Sequence, residues 1–263
     1  MGTKFSTRIW VSVVGIASIF FGSKGYADTV ISVADFGLKP DTRENAVAYV
    51  QKAIEACRGK EPVTLVFPEG RYDFWPQYAH EKNYYETNTY DVFPKRLAML
   101  FEGFHNITVD GNGSQFVMHD RIQPITVENC DGVTLKNFSI DWDIPLTAQA
   151  RVIKVGSDFF EIEINVLESP YIIEDGKLVF VGEGWKSALG SMIEFESDTH
   201  FVVPGTGDLV LGRNWRDYTA VSPRYGIVRL SRKGGFERYP AGGNWLVLRH
   251  STRDHAGIFI CGS

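Results

Sequence analysis

ISVADFGLKPDTRENAVAYVQKAIEACRGKEPVTLVFPEGRYDFW, residues 31–75, is the stretch whose reading decides the fold. It divides into a short strand over 31–36, a turn over 37–41, an amphipathic helix, a second strand over 63–67 and a Pro68-Glu69-Gly70 turn. In the helix Val47, Val50, Ile54 and Cys57 fall at i, i+3, i+7 and i+10, one apolar stripe at the helical period. Asp41 with Glu44 three residues on predicts a capping box, and Arg58-Gly59 predicts the stop. A helix with one apolar stripe must cover something, and short strands follow it. The order strand, turn, helix, strand, turn suits the cap that closes a solenoid, whose open end would leave stacked apolar residues and strand edges in water. An ordinary α/β crossover has the same order, so the choice rests on what comes next.

Downstream of Pro94 come short apolar runs at 97–101, 107–109, 116–118, 125–127, 133–135 and 138–140, punctuated by Gly, Asn and Asp. Such spacing marks a β-solenoid or another all-β architecture. His105-Asn-Ile-Thr-Val-Asp-Gly111 aligns with Asp131-Gly-Val-Thr-Leu-Lys-Asn137 at an offset of 26, which predicts Ile107 over Val133 and Val109 over Leu135. A sandwich could space its strands this way, but the preceding helix favours the solenoid. Asn106, Asn129 and Asn137 at strand ends read as structural corners. Cap and repeat together resemble right-handed parallel β-helix proteins of the pectate-lyase type. The polar, aromatic segment 78–90 has no clean period and reads as a loop or lid.

From Leu146 the texture changes. Residues 151–155, a Gly156-Ser157-Asp158 turn and the strictly alternating 161–166 predict a half-exposed antiparallel hairpin with Ile162, Ile164 and Val166 on one face. Residues 171–173, the Asp175-Gly176 turn and 178–181 predict another. The expected fold class is therefore all-β: a right-handed parallel β-helix with an N-terminal capping helix and an inserted antiparallel β module. The divisions are 28–145 for cap and first coils, 146–243 for the insert and 244–263 for the return to the helix. In the last, 245–248 resumes the solenoid and 257–261 is its last strand. Nothing resembling a C-terminal cap follows, so the sequence reads as the front part of a longer one.

Composition narrows the function. A net charge of −5 and a pI near 5.7 argue against nucleic acid or an anionic membrane as partner. Aromatic residues make up 13%, which suits contact with sugars. Lys4 and Arg8 precede an apolar run over 9–22, and Gly25-Tyr26-Ala27 offers small residues for cleavage after Ala27. The run is short for a membrane span and typical of a secretory leader, so residues 1–27 are expected to be removed and the protein exported to periplasm or medium, without stable membrane insertion. An uncleaved anchor is the alternative. Cys57, Cys130 and Cys261, odd in number and widely spaced, predict neither disulfides nor a zinc site and read as core.

Several runs go further: Gly70-Arg-Tyr-Asp-Phe-Trp-Pro-Gln77, Tyr84-Tyr-Glu-Thr-Asn-Thr-Tyr-Asp91, Asp141-Trp-Asp-Ile-Pro-Leu-Thr-Ala148, Phe180-Val-Gly-Glu-Gly-Trp-Lys-Ser187 and Leu248-Arg-His-Ser-Thr-Arg-Asp-His-Ala-Gly-Ile-Phe259. In these the chain resembles the bacterial α-1,3-galactosidases, β-helical enzymes of glycoside hydrolase family 110, from about Ile31 to Ile260. The resemblance implies an exported hydrolase of terminal α-1,3-linked galactose, as in blood-group-B-type glycans, inverting, with aspartates as acid and base. It also implies no metal or other cofactor, and an inserted barrel-like module. Family members are much longer, and the resemblance places their catalytic aspartates beyond Ser263. Inversion needs two carboxyl groups about 6.5–9.5 Å apart, so this chain by itself should be inert.

Candidate contacts with α-galactosyl glycans come from the residues themselves. Asp141 and Asp143 flank Trp142, and in an extended chain both carboxylates share a face. They could serve catalysis, substrate contact or a corner turn. In 249–255 an extended chain puts Arg249, Ser251, Arg253 and His255 on one side and His250, Thr252 and Asp254 on the other. Hydroxyls want donors and acceptors of this kind, with Asp254 able to orient His255; a surface salt-bridge network is the alternative. Trp75, Tyr84, Tyr85 and Tyr90 could stack on a sugar face, or pack their loop on the cap. Trp185 reads as core of the insert, with Glu183 beside it a candidate contact. Two other functions remain open at this level. A pectin-type lyase would need clustered aspartates for Ca²⁺ and an Arg or Lys base, and no such cluster appears. A non-catalytic glycan-binding β-helix is the other.

Overall fold

The structure, a computed structural model, describes residues 29–86, 93–208, 210–250 and 255–263. The expected leader, Tyr90, Arg253 and Asp254 lie outside them. Strand β1 (Thr29–Ser32) runs into a single 3-10 turn at Val33–Phe36, where Ser32 and Asp35 make reciprocal capping bonds. Helix α1 (Val47–Cys57) follows, with Val47, Val50, Ile54 and Cys57 all buried as the stripe predicts. Its start is not capped by Asp41 and Glu44. Asn45 Oδ1 accepts from the Val47 amide at 3.1 Å, whereas Asp41 accepts the Arg71 amide at 2.9 Å. Asp41 sits in a left-handed turn (φ 63) too far upstream of Val47 to reach the free helical N–H groups.

The next strands are β2 (Val63–Val66), β3 (Arg71–Phe74), β4 (His80–Lys82), β5 (Lys95–Glu102), β6 (His105–Met118), β7 (Gln123–Glu128) and β8 (Asp131–Trp142). Strand β4 falls where a loop was expected and pairs antiparallel with β5. The long β6 takes β2 and then β3 as parallel neighbours on one side and β8 on the other. Ile107 pairs with Val133 and Val109 with Leu135, the register the 26-residue repeat predicts. In a second sheet β5 and β7 run parallel, Met99 against Ile125 and Phe101 against Val127. Phe67, Phe74, Phe101 and Phe116 fill one core with the inner face of α1. Corner residues Asn106, Asn129 and Asn137 hold φ of 55, 51 and 59, and Asn106 leaves no room for a side chain at Gly132, whose Cβ would lie 2.6 Å from its Oδ1.

Then the pairing turns antiparallel. Strands β9 (Thr147–Val155), β10 (Phe159–Ile164), β11 (Tyr171–Glu174), β12 (Lys177–Gly182), β13 (Trp185–Ala188), β14 (Ser191–Phe195), β15 (Thr219–Arg224), β16 (Ile227–Ser231) and β17 (Trp245–Arg249) form a six-stranded sheet in the order β14-β17-β9-β10-β16-β15 and a three-stranded sheet β11-β12-β13. Both predicted hairpins are present, β9–β10 and β11–β12. They enclose a second core around Phe160, Phe180, Trp185 and Trp215.

Residues 245–248 do not resume the parallel sheets. Strand β17 lies antiparallel between β9 and β14, with Leu246 and Leu248 in the second core. A strand with alternate leucines fits either sheet, and only its partners decide. The parallel pairing returns at β18 (Ile258–Cys261), which lies along β7 with Ile258 opposite Ile125. Of the cysteines, Cys57 and Cys130 are buried, but Cys261 on the edge strand β18 is only partly so. Burial pushes the Cys57 thiol up to about 11. No helix among the described residues is long and apolar enough to cross a membrane.

Candidate functional site

Strand β3 has period two. Tyr72 and Phe74 enter the first core, leaving Arg71, Asp73 and Trp75 for the other face. There Arg71 reaches Asp73 Oδ1 from Nε at 2.9 Å and from Nη2 at 2.5 Å, and Nη2 also reaches Asp143 Oδ1 at 2.9 Å. Arg43 adds longer contacts to both carboxylates, 3.7 and 3.9 Å. The end of β6 supplies His119, whose amide donates to the Phe74 carbonyl. Its Nε2 lies 2.9 Å from Asp73 Oδ1, and its Nδ1 lies 2.7 Å from Glu183 Oε2 in the turn between β12 and β13. Trp75 stacks flat on the imidazole, 3.7 Å between centroids and 13° between planes. Asp73 and His119 are buried, whereas Glu183 is about two-fifths exposed. Burial alone would raise the Asp73 carboxyl, but hydrogen bonds from Arg71 and His119 outweigh it and hold it below the usual range.

The residues after His119 continue along the same turn. Asp120, in a left-handed conformation (φ 57), lies so close to Gly184 that a Cβ there would sit 2.9 Å from its Oδ2. Burial pushes the Asp120 carboxyl up. Arg121 lies over the Trp185 ring at 5.7 Å. Trp185 in turn stacks on His250 (5.2 Å, 19°), and His250 on Phe180 (4.4 Å, 26°). Three successive residues, 119–121, thus meet three successive residues, 183–185, along one seam between the parallel and antiparallel parts. Desolvation, then the nearby Arg121 charge, lowers His250 to about 4. His255 falls to about 3, first through burial and next through Lys95. Both rings are neutral at physiological pH.

The sequence-derived candidates scatter. Asp143 and Trp75 enter the His119 network, as does Glu183. Asp141 instead accepts the Trp142 amide at 2.8 Å. Arg249 pairs with Asp208 at 2.6 Å across the antiparallel part, the salt-bridge alternative. His255 is described, but Arg253 and Asp254 are not. Tyr84 donates its hydroxyl to Glu128 at 2.6 Å and packs on Phe259, so its ring is engaged. Tyr85 is 83% exposed against Phe93. Trp185 is core, as expected. Arg71, Asp73 and His119 escaped the sequence reading. The alternation Arg71-Tyr72-Asp73-Phe74 was a usable sign for the first two. His119, which follows a buried strand, had none.

A constellation of Asp, His, Glu and Arg around an indole can bind hydroxyls from several directions, carboxylates accepting and guanidinium donating. It sits where the antiparallel strands meet the parallel ones. Residues 148–246 match the family model described as GLAA-B beta-barrel domain I. The chain is 58% identical over 236 residues to alpha-1,3-galactosidase B of Bacteroides thetaiotaomicron, covering 89% of this chain and 38% of that protein. It is 33% identical to alpha-1,3-galactosidase A of Shewanella woodyi, over 85% of this chain and 36% of that one. To alpha-1,3-galactosidase A of Bacteroides fragilis it is 34% identical, over 89% and 38%. The chain is thus a homologue of bacterial α-1,3-galactosidases, as its quoted runs imply, and it spans less than two-fifths of the length of these relatives.

Proposed function

We propose that this chain is the front part of an exported glycoside hydrolase that removes terminal α-1,3-linked galactose from glycans with inversion. The observation that carries this reading is 58% identity over 89% of the chain to a protein named alpha-1,3-galactosidase B. In this reading the parallel sheets are the first coils of a right-handed β-helix capped by α1. The 26-residue register shared by β6–β8 and β5–β7 supports that, as do the corner asparagines. The seam holds the sugar: Asp143 and Glu183 accept from its hydroxyls, and Arg43 donates. Trp75 offers ring surface, and His255, beside Arg121, offers an uncharged donor and acceptor. Asp143 is held by Arg71 and still 40% exposed, which suits it to orienting a ligand, with Asp73 buried behind. The acid and base pair that inversion demands is assigned to residues outside this chain.

The test is incubation of the chain with an α-1,3-linked digalactoside, reading free galactose and, in parallel, binding of methyl α-galactoside. Binding without release is the expected result. Brisk release by this chain alone would overturn the placement of the catalytic pair elsewhere, and no binding of either sugar would overturn the galactosyl reading of the seam. Unsaturated uronate absorbance with a pectin substrate would instead support a lyase.

A further inference from the structure

Each ring nitrogen of His119 faces a carboxylate oxygen, Asp73 behind it and Glu183 in front. An ionised carboxylate only accepts, so each of the two contacts requires a hydrogen between the pair. Neither the imidazole nor Asp73 has freedom to move. Asp73 is fully buried and gripped by two Arg71 nitrogens, and His119 is clamped under the Trp75 ring. Glu183 differs. It stands on a tight turn whose next residue, Gly184, has φ 73, and its side chain is 41% exposed at the seam.

We propose that His119 is a positioning residue that holds Glu183 in place to accept hydroxyls of a galactosyl ligand, with Asp73 and Arg71 as the fixed backstop. The inference rests on the galactosyl reading of the seam and adds to it the group that orients the contact. Without His119, the Glu183 carboxylate would rotate freely in water, and ordering it would fall to the ligand. The relay also ties the β12–β13 turn to the end of β6, so the turn's own order reports on it.

Two substitutions separate the two faces of the ring. His119→Asn keeps an amide nitrogen near the position of Nδ1, toward Glu183. His119→Gln keeps one near the position of Nε2, toward Asp73. In the full chain, Glu183→Ala and His119→Gln should each weaken methyl α-galactoside binding about tenfold, the loss of one charged hydrogen bond. His119→Asn should stay within about threefold of the parent. Amide exchange over 182–185 should rise in His119→Gln and not in His119→Asn, although His119→Asn, which gives up the bond to buried Asp73, should have the lower thermal midpoint. Adding His119→Gln to Glu183→Ala should change affinity no further.

The reverse order, with His119→Gln binding like the parent and His119→Asn failing, would show that the histidine serves only to satisfy Asp73 and would overturn the proposal. So would parent-like binding by both. Should His119→Gln fail to fold, Glu183→Ala decides: unchanged affinity there overturns the proposal. If the parent chain binds no galactoside, the galactosyl reading falls and the ligand clause with it. Exchange over 182–185 then decides the positioning clause separately, and equal exchange in the parent and His119→Gln overturns that too.

Discussion

Asp73 and His250 show how single side chains set the pH response of this protein. The folded Asp73 carboxyl lies below its unfolded value, so the stability it contributes is complete above the ordinary carboxylate range near about 4 and disappears as pH falls through the lower folded value. Asp73→Asn is expected to cost about 3 kcal/mol at neutral pH by leaving Arg71 without its buried partner. It should also flatten the unfolding curve below about pH 4, which denaturant titrations at several pH values would measure. His250 acts in a higher window. Its folded value is about 4 against 6.5, so between those values the unfolded chain binds a proton that the folded chain refuses. Stability should therefore fall on acidification from 6.5 to about 4, by about 3 kcal/mol from this group. His250→Phe keeps a ring between Phe180 and Trp185 and should remove that part of the slope, leaving what His255 contributes. Asp143 and Trp75 could be picked out as polar and aromatic residues in suggestive runs. Their partner His119 could not, because what joins them is contact between β3, β6 and a turn far along the chain.

Among the elements, the turn between β12 and β13 carries more of the site than its length suggests. Gly184 needs both its left-handed φ of 73 and its missing side chain, since a Cβ would meet Asp120 Oδ2 at 2.9 Å. Gly184→Ala should destabilise by about 1–3 kcal/mol and, by shifting Glu183, weaken sugar binding more than a change of the same cost far from the seam. Calorimetry beside a binding titration separates these effects. The elements that were legible in sequence are those with a strong period or repeat: the stripe of α1, the offset pairing of β6 with β8 and the alternation in β10. The failures share one cause. The capping box at Asp41 and the assignment of β17 to the parallel sheets were local patterns with two compatible uses, and long-range partners chose between them. Asn45 and Arg71 settled the first, and β9 and β14 the second.

At the level of the whole molecule, the buried apolar residues fall into two separate cores, and the parts they serve meet along the seam. Phe116→Ala in the first and Phe160→Ala in the second should each cost about 3–5 kcal/mol. Because each core serves its own sheets, native-state hydrogen exchange should rise in β9, β10 and β16 for Phe160→Ala while β5 and β7 keep their protection, with the opposite for Phe116→Ala. A uniform rise throughout would mean that the seam couples the cores into one cooperative unit.

The placement of β18 carries a practical consequence. Among the described residues it is the outermost rung of its sheet, and Ile260 is 61% and Ile258 42% exposed on it. Backbone donors and acceptors on its outer side invite another strand, and nothing in Ile258-Phe-Ile-Cys261 repels one. Residues 1–263 expressed by themselves and held at high concentration should zip against copies of themselves, seen as light scattering that grows with concentration. A gatekeeper charge, Ile260→Lys, should keep them dispersed without touching the sugar site.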